Sequence, residues 1–456
     1  MAWRFRPFPL WGKPGWGAFL MREAGRIAAA IEVLTAIETH HRPAKTAVKE
    51  WGAAHRFAGS GDRAWIGGLV LDTLRKRASV AHLMQDDSPR ALVLGTMVHA
   101  WGMSGEEMAA LFDGDEHAPD LPTDAELAGF ARDLTGAPAH IQGDYPDWLA
   151  KSLERAFGPD AADEGTALAA RAPVDLRVNA LKAETDKALA AVQSKIPTAE
   201  PSALVAHAIR IPQTDPRGKN APAESIPAYG KGWVEVQDAG SQIAGLAAAV
   251  EPGAQILDFC AGAGGKTLEL AAMTGNTGQV YAWDHDWRRL RAIWPRLKRA
   301  GARNVQVKDG PEAEALADLE GRMDVVFIDA PCTGAGTWRR RPDSKWRLKP
   351  EALARRIEQQ DEVLDRASRY VRPGGRLVYV TCSFLPEENS DRVEAFLTRD
   401  GGFEQGSTLA ALKASGGLAP GAEDVLAKCE DDSGAILLSP RRSDTDGFFI
   451  SVMERK

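Results

Sequence analysis

Ile256-Leu257-Asp258-Phe259-Cys260-Ala261-Gly262-Ala263-Gly264-Gly265-Lys266-Thr267 decides the fold: four residues of buried-strand character run straight into a turn of small residues that opens a helix. Glycine there permits a tight turn and lets a ligand approach the backbone at a helix N-terminus. The stretch misses a phosphate-binding GxxxxGK[ST] loop by one residue, since Cys260 stands where the first Gly is required. From Glu235 onward strand and helix alternate, which predicts an α/β fold with a parallel, doubly wound sheet. The strands read Ile256–Phe259, Val280–Trp283, Val305–Val307, Val325–Asp329 and Leu377–Thr381, with helices Ser241–Val250 and Pro350–Tyr370 among the connections. Ala435–Ser439 and Phe448–Met453 are joined by a polar loop with no room for a helix, and predict a C-terminal antiparallel hairpin.

Acids at the strand ends say what the loop holds. Asp284 closes the second strand, 20 residues after Gly264, where a carboxylate suits the ribose hydroxyls of a nucleoside and a phosphate loop has no use for one. Asp309, after the third strand, is placed to meet an adenine amino group. The candidate cofactor-binding set is therefore Cys260, Ala261, Gly262, Ala263, Gly264, Gly265 and Lys266 with Asp284, Asp309 and Asp329.

Two cysteines carry a second signal, Cys332 in Asp329-Ala330-Pro331-Cys332-Thr333-Gly334 and Cys382 in Thr381-Cys382-Ser383. If the strands before them are parallel neighbours, both thiols reach the carboxyl edge of one sheet, where open α/β folds place their ligands. A lone Cys is ordinarily inert, but two in strand-end loops, one beside an Asp, suggest covalent chemistry.

Composition narrows the class. The 456 residues, 44% of them apolar, suffice for about two to four domains, and no apolar run of about 18 residues is present to span a membrane. Four Cys, at 260, 332, 382 and 429, show neither a disulfide framework nor paired metal spacing; no metal site is expected, and a reducing cytoplasm fits best. Residues 1–20 lack the apolar core of a signal peptide and read as a disordered tail, or as an artefact of start-site choice with Met21 the true beginning. The net charge of −7 is unevenly spread: 104–166 holds 15 acids against 3 bases, whereas 287–303 holds seven bases and no acid. That asymmetry is compatible with nucleic-acid binding in the second half, although a basic helix is more often a solvated face. Trp338-Arg339-Arg340-Arg341-Pro342-Asp343-Ser344-Lys345-Trp346-Arg347 interleaves five cations with two aromatics, a pattern suited to phosphates and splayed bases. Trp338, Arg339, Arg340, Arg341, Lys345, Trp346 and Arg347 are the candidate nucleic-acid-binding arm.

Residues 21–140 read as a helical domain, with apolar residues at helical spacing in Ile27, Ala30, Ile31, Leu34 and Ile37 and again in Ile66, Val70, Leu71 and Leu74; Asp62 is able to cap the second run. Asp113–Asp124 and Pro138–Pro146 read as loop. A small α/β module spans 145–235: strand Val174–Asn179, helix Asp186–Ile196, strand Val205–Ile211, loop Pro212–Gly232. The remaining 236–456 is the catalytic region.

Loop, acids and cysteine motifs together resemble the RsmB/Sun family of S-adenosylmethionine-dependent RNA cytosine-5 methyltransferases. The matching stretches are Val236-Gln237-Asp238, Cys260–Thr267, Asp329–Gly334, Trp338–Leu348, Val371–Asn389 and Thr445–Phe449, so that the resemblance covers essentially 145–456. Ala261-Gly262-Ala263-Gly264 departs from the family's common Ala-Ala-Pro-Gly while keeping its small residues. The resemblance implies a class I methyltransferase sheet of Rossmann-like form, an RNA-recognition-like module at 145–235 and a NusB-like helical domain before it. It implies S-adenosylmethionine as cofactor, ribosomal RNA as the first-choice partner, and a monomer. In the family the Thr-Cys-Ser thiol, here Cys382, adds to carbon 6 of cytosine so that carbon 5 becomes nucleophilic. Cys332 would assist product release, Asp329 would hydrogen-bond the ring nitrogen, and Lys266 would orient the base or that carboxylate. Cys260 is expected to line the cofactor loop through its backbone and Cys429 to be structural.

Three rival readings stay distinguishable. A DNA cytosine-5 methyltransferase would use the Pro-Cys thiol as nucleophile and leave Cys382 without a role. A P-loop NTPase would bind ATP and ignore S-adenosylmethionine. A non-catalytic RNA-binding assembly factor would have no need of the cysteine pair.

Overall fold

The computed structural model describes residues 21–213 and 223–456; the expected N-terminal tail and the middle of the 212–232 loop lie outside the described residues. Among the described residues no helix is long and apolar enough to cross a membrane.

Helices Glu23–His40, Ala44–Ala54, Ser60–Arg75, Arg77–Met84 and Pro89–His99 pack their apolar faces around Ile27, Leu34, Ile66, Val70 and Leu92. Asp62 lies inside the first turn of its helix rather than before it. Its carboxylate accepts the Gly59 amide at 2.9 Å and so satisfies a backbone donor that the helix itself leaves open. The expected loop at 138–146 contains a short helix, Ala139–Gln142.

A small antiparallel sheet follows, built from β1 (Val174–Val178), β2 (Glu200–Pro201), β3 (Ala208–Ile211) and β4 (Val234–Val236) in the order β2-β3-β1-β4, with helix Thr185–Gln193 against it. The strand expected from Val205 begins only at Ala208; Val205 instead bridges to Leu418 in the catalytic region. The boundary drawn at 235/236 falls inside β4, three residues too short to carry a period-2 signal.

The main sheet comprises β5 (Gln255–Asp258), β6 (Gln279–Ala282), β7 (Val305–Val307), β8 (Met323–Asp329), β9 (Val371–Thr381), β10 (Phe403–Gln405), β11 (Ile436–Leu438) and β12 (Phe448–Arg455). Among the described residues its order is β10-β12-β9-β8-β5-β6-β7. The run from β9 to β7 is parallel, and β12 is antiparallel to β9. The C-terminal pair β11–β12 is antiparallel as expected. Its connection nevertheless holds one helical turn, Pro440–Ser443, and the unanticipated β10 pairs with the far end of β12. Alternate residues feed opposite cores: Ile256, Val325, Phe327, Val378 and Val380 on one side, Leu257, Val326, Ile328, Leu377 and Tyr379 on the other. Burial on both faces explains why these strands read as nearly unbroken apolar runs. It also leaves the carboxyl ends of β5, β6, β8 and β9 as the place where polar side chains gather.

Candidate active site

Gly262 and Gly264 both adopt positive φ, 52° and 84°. At Gly264 an added Cβ would lie 2.3 Å from Cγ1 of Ile293, so glycine is needed there for the loop to close against helix Ile293–Ala300. Asp284, at the end of β6, accepts the Gly262 amide at 2.7 Å and the Asp286 amide at 2.8 Å, tying the loop to the neighbouring strand. Asp309 stands exposed beyond β7, one strand further out.

Beneath the loop, Asp258 is buried with its Oδ1 unpaired, while Thr267 Oγ1 donates to its Oδ2 at 2.6 Å. Burial, with Asp329 and Asp284 adding to it, pushes this carboxyl up to about 7. Three carboxylates around a glycine cradle suit a ligand that carries ribose hydroxyls and positive charge. S-adenosylmethionine, with its sulfonium and ammonium groups, meets that description better than a polyphosphate. Burial and then Asp284, Asp258 and Asp329 hold the Cys260 thiol well above its ordinary value, which disfavours the thiolate there. Cys429 is buried and pushed up to about 11, with its Sγ 3.4 Å from the Val425 carbonyl.

Lys266 lies in the first turn of helix Gly265–Met273 and reaches across the sheet edge. Its Nζ donates to Ser241 Oγ at 2.7 Å and to Asp329 Oδ2 at 3.4 Å. Burial alone would lower it, but Asp329, Glu269 and Asp258 outweigh that and hold the ammonium above its ordinary value.

β8 and β9 are parallel neighbours, and the two thiols that follow them meet: Sγ of Cys332 and Sγ of Cys382 are 3.3 Å apart. Contact with Cys382, then burial, then Glu388 and Asp329 keep the Cys332 thiol well above its ordinary range. Either sulfur can donate in this contact, and the surroundings of Cys332 favour its protonated form. Both loops are locked from behind. Glu388, fully buried, accepts the Thr333 amide at 2.8 Å, the Thr333 hydroxyl at 2.5 Å and Gln360 Nε2 at 3.0 Å. Asn389 accepts from Thr381 Oγ1 at 2.5 Å and donates to the Ser383 carbonyl at 3.0 Å. Neither residue was singled out from sequence; the acidic Glu387-Glu388-Asn389 run after Cys382 was the available signal. Beside Cys332 opens a cleft of about 200 Å³ lined by Thr333, Ser344, Arg347, Leu348 and Arg356.

The candidate RNA-binding arm is mostly an internal bracket, which corrects the expectation for five of its residues. Trp338, 1% exposed, fills a core with Tyr145, Leu149 and Phe384. Arg339, 3% exposed, pairs with Asp446 at 3.1 Å, and Arg340 pairs with Asp446 and with Asp238 at 2.7 Å. Trp346 Nε1 donates to the Leu74 carbonyl at 2.6 Å, and Lys345 Nζ, 1% exposed as a residue, donates to the Arg75 carbonyl at 3.1 Å. These are terminal carbonyls of helix Ser60–Arg75 that have no partner within the helix. A Trp/Arg pattern fits a domain junction as well as a stacked base, and here the junction takes it. Arg341 and Arg347 stay exposed, the latter beside Asp343 at 2.9 Å.

The family model for 16S rRNA methyltransferase RsmB/F matches residues 246–454, and the ferredoxin-like domain of RsmF/B-like methyltransferases matches 145–216. A ribosomal RNA small subunit methyltransferase B from Citrobacter koseri is 32% identical over 311 residues, 68% of this chain and 70% of the relative. The chain belongs to the RsmB/F methyltransferase family. RsmB from an Enterobacter strain is 36% identical over 285 residues, which span 61% of this chain and only 64% of the relative's length. Among solved structures, PH0851 superposes with a TM-score of 0.70 at 24% identity, covering 96% of this chain and 100% of that one. NSun6 from Pyrococcus horikoshii with SFG gives 0.56 at 20% identity, over 68% and 98%. Both show the fold. RsmB/F proteins are S-adenosylmethionine-dependent methyltransferases, and the glycine cradle with Asp284 is where this member would hold that cofactor.

Proposed function

We propose that this chain methylates carbon 5 of a cytosine in ribosomal RNA, with Cys382 as covalent nucleophile and Cys332 as the group that assists release. When bound, S-adenosylmethionine supplies an electrophilic methyl group. The protein's task is to make an unreactive ring carbon attack it. The Cys382 thiolate adds to carbon 6, forming an S–C6 bond and driving an electron pair toward carbon 5 and the N3 side of the ring. Asp329, carrying a proton, donates a hydrogen bond to the ring nitrogen as charge develops there, and the Lys266 ammonium, 3.4 Å from Asp329 Oδ2, offsets the charge left on the carboxylate. After methylation a solvent-borne base takes the carbon 5 proton, the electron pair of that C–H bond restores the C5–C6 double bond, and the S–C6 pair leaves with sulfur, returning the Cys382 thiolate and an aromatic ring. Cys332, poised against Cys382, serves this second half.

The observation that carries the reading is the 3.3 Å contact between two thiols at the end of a sheet whose adjacent strands carry the glycine loop and Asp284. RNA enters by the cleft beside Cys332, where Arg347 and Arg356 offer cations to phosphate. The four free cysteines suit a reducing cytoplasm. Bisulfite sequencing of ribosomal RNA from cells with and without the gene tests the proposal. One cytosine should lose protection in the deletion strain and regain it with the wild-type gene but not with Cys382→Ala. An unchanged pattern would sink the reading.

A further inference from the structure

The basic stretch 287–303 divides into two sets of side chains once folded. Helix Trp287–Leu290 continues through Arg291 and Ala292, whose backbone stays helical, into helix Ile293–Ala300. Leu290, Ile293, Leu297 and Ala300 are buried against Ala261, Leu268 and Ala282, under the cofactor loop. Two cations are already engaged: Arg296 donates to the Ala263 carbonyl at 2.8 Å and pairs with Glu235, and Arg299 pairs with Glu235 at 2.5 Å.

The outward face is different. Trp287, Arg291, Trp294 and Lys298 recur at helical spacing and are all exposed, the two indoles by 49% and 56%. The Arg291 guanidinium sits 5.3 Å from the Trp287 ring centre. Neither Arg291 nor Lys298 has an acidic partner among the described residues. The nearest acid in sequence, Asp286, has its carboxylate on the Arg288 amide at 3.0 Å.

We infer that this stripe docks a single-stranded segment of the RNA substrate, outside the cleft that takes the target base. The inference rests on the proposed RNA substrate and adds a second contact surface to it. Indoles about 10 Å apart along a helix offer stacking platforms for two splayed bases, and the interleaved cations offer partners for the phosphates between them. A membrane surface is disfavoured, because the apolar face of this helix is already used in the core and only the Trp/cation face remains.

The probe is a fluorescein-labelled 20-nucleotide RNA without cytosine, titrated by anisotropy into the full chain, so that the covalent cleft is not engaged. Trp287→Ala/Trp294→Ala should weaken binding at least about tenfold, as loss of stacked bases does. Trp287→Phe/Trp294→Phe, which keeps the rings, should restore most of it. Arg291→Gln/Lys298→Gln should lower the slope of log affinity against log salt by about 1.4, two single-strand phosphate contacts. S-adenosylmethionine affinity, read by calorimetry, should be unchanged in all three and so vouch for the fold. Wild-type RNA affinity and salt slope in the Ala and Gln variants would overturn the inference, as would a Trp→Ala effect confined to a protein partner. Wild-type RNA binding with no methylated cytosine anywhere would instead remove the catalytic reading and leave the stripe standing.

Discussion

The Sγ atoms of Cys332 and Cys382 lie 3.3 Å apart although 50 residues separate them in the chain. Under the proposed mechanism the two thiols serve one covalent cycle, and their loss should fail at opposite ends of it. Cys382→Ala should abolish methyl transfer and leave no RNA attached. Cys332→Ala should still attack and methylate but release poorly, so that RNA migrates with the protein on a denaturing gel. The double variant should lose the adduct. Trapping by Cys382→Ala with a clean null at Cys332→Ala would reverse the roles and restore the DNA-type use of the Pro-Cys thiol.

Asp284 fastens the glycine loop through the Gly262 amide and accepts the Asp286 amide of its own turn. Asp284→Asn should weaken S-adenosylmethionine binding by about 1–3 kcal/mol, the cost of losing a charge-assisted hydrogen bond. Calorimetry reads this directly. ATP bound in preference to S-adenosylmethionine by the wild-type chain would contradict the assignment.

Within the arm, buried and exposed cations should behave oppositely. Arg339→Ala removes one of the two guanidinium partners of the almost fully buried Asp446, leaving Arg340, and should lower unfolding stability by about 1–3 kcal/mol, the cost of a lost buried hydrogen bond to a charged group. Arg341→Ala and Arg347→Ala should leave the denaturant midpoint unchanged while each flattens the salt dependence of RNA binding by about 0.7 of a log unit if it contacts phosphate.

Lys345 makes the domain junction sensitive to pH. Burial pushes its ammonium down to about 7 from an ordinary 10.5, with Asp144 opposing and Lys76 and Arg75 adding to the shift. Between those two values the unfolded chain holds a proton that the folded chain does not, so stability from this group rises with pH across the window and is penalised below it. Lys345→Met should therefore flatten the rise in unfolding free energy between pH 7 and about 9.5, measured by urea titration. A wild-type slope in the variant would show that Lys345 does not titrate in that range.

What was legible in the sequence was what neighbouring residues decide. The glycines of 262–265, the acid at Asp284 and the apolar runs before Cys332 and Cys382 each act within a strand and its following turn, and the parallel sheet followed from their alternation. What escaped depends on distant partners. Trp346 meets the Leu74 carbonyl across 272 positions, Glu388 meets Thr333 across 55, and nothing local at either end announces the other. The short strands Glu200–Pro201, Val234–Val236 and Phe403–Gln405 exist because a longer neighbour offers them an edge, not because their own residues demand extension.

The bracket at Leu74 and Arg75 binds main-chain oxygens, so what it measures is where helix Ser60–Arg75 stops. Each added or deleted residue would advance the helix end by about 1.5 Å and turn it by about 100°, swinging both carbonyls away from Trp346 and Lys345. This junction should consequently forgive many amino-acid replacements along the helix yet reject insertions and deletions of a single residue. Across the family, the length of that helix should drift more slowly than its spelling.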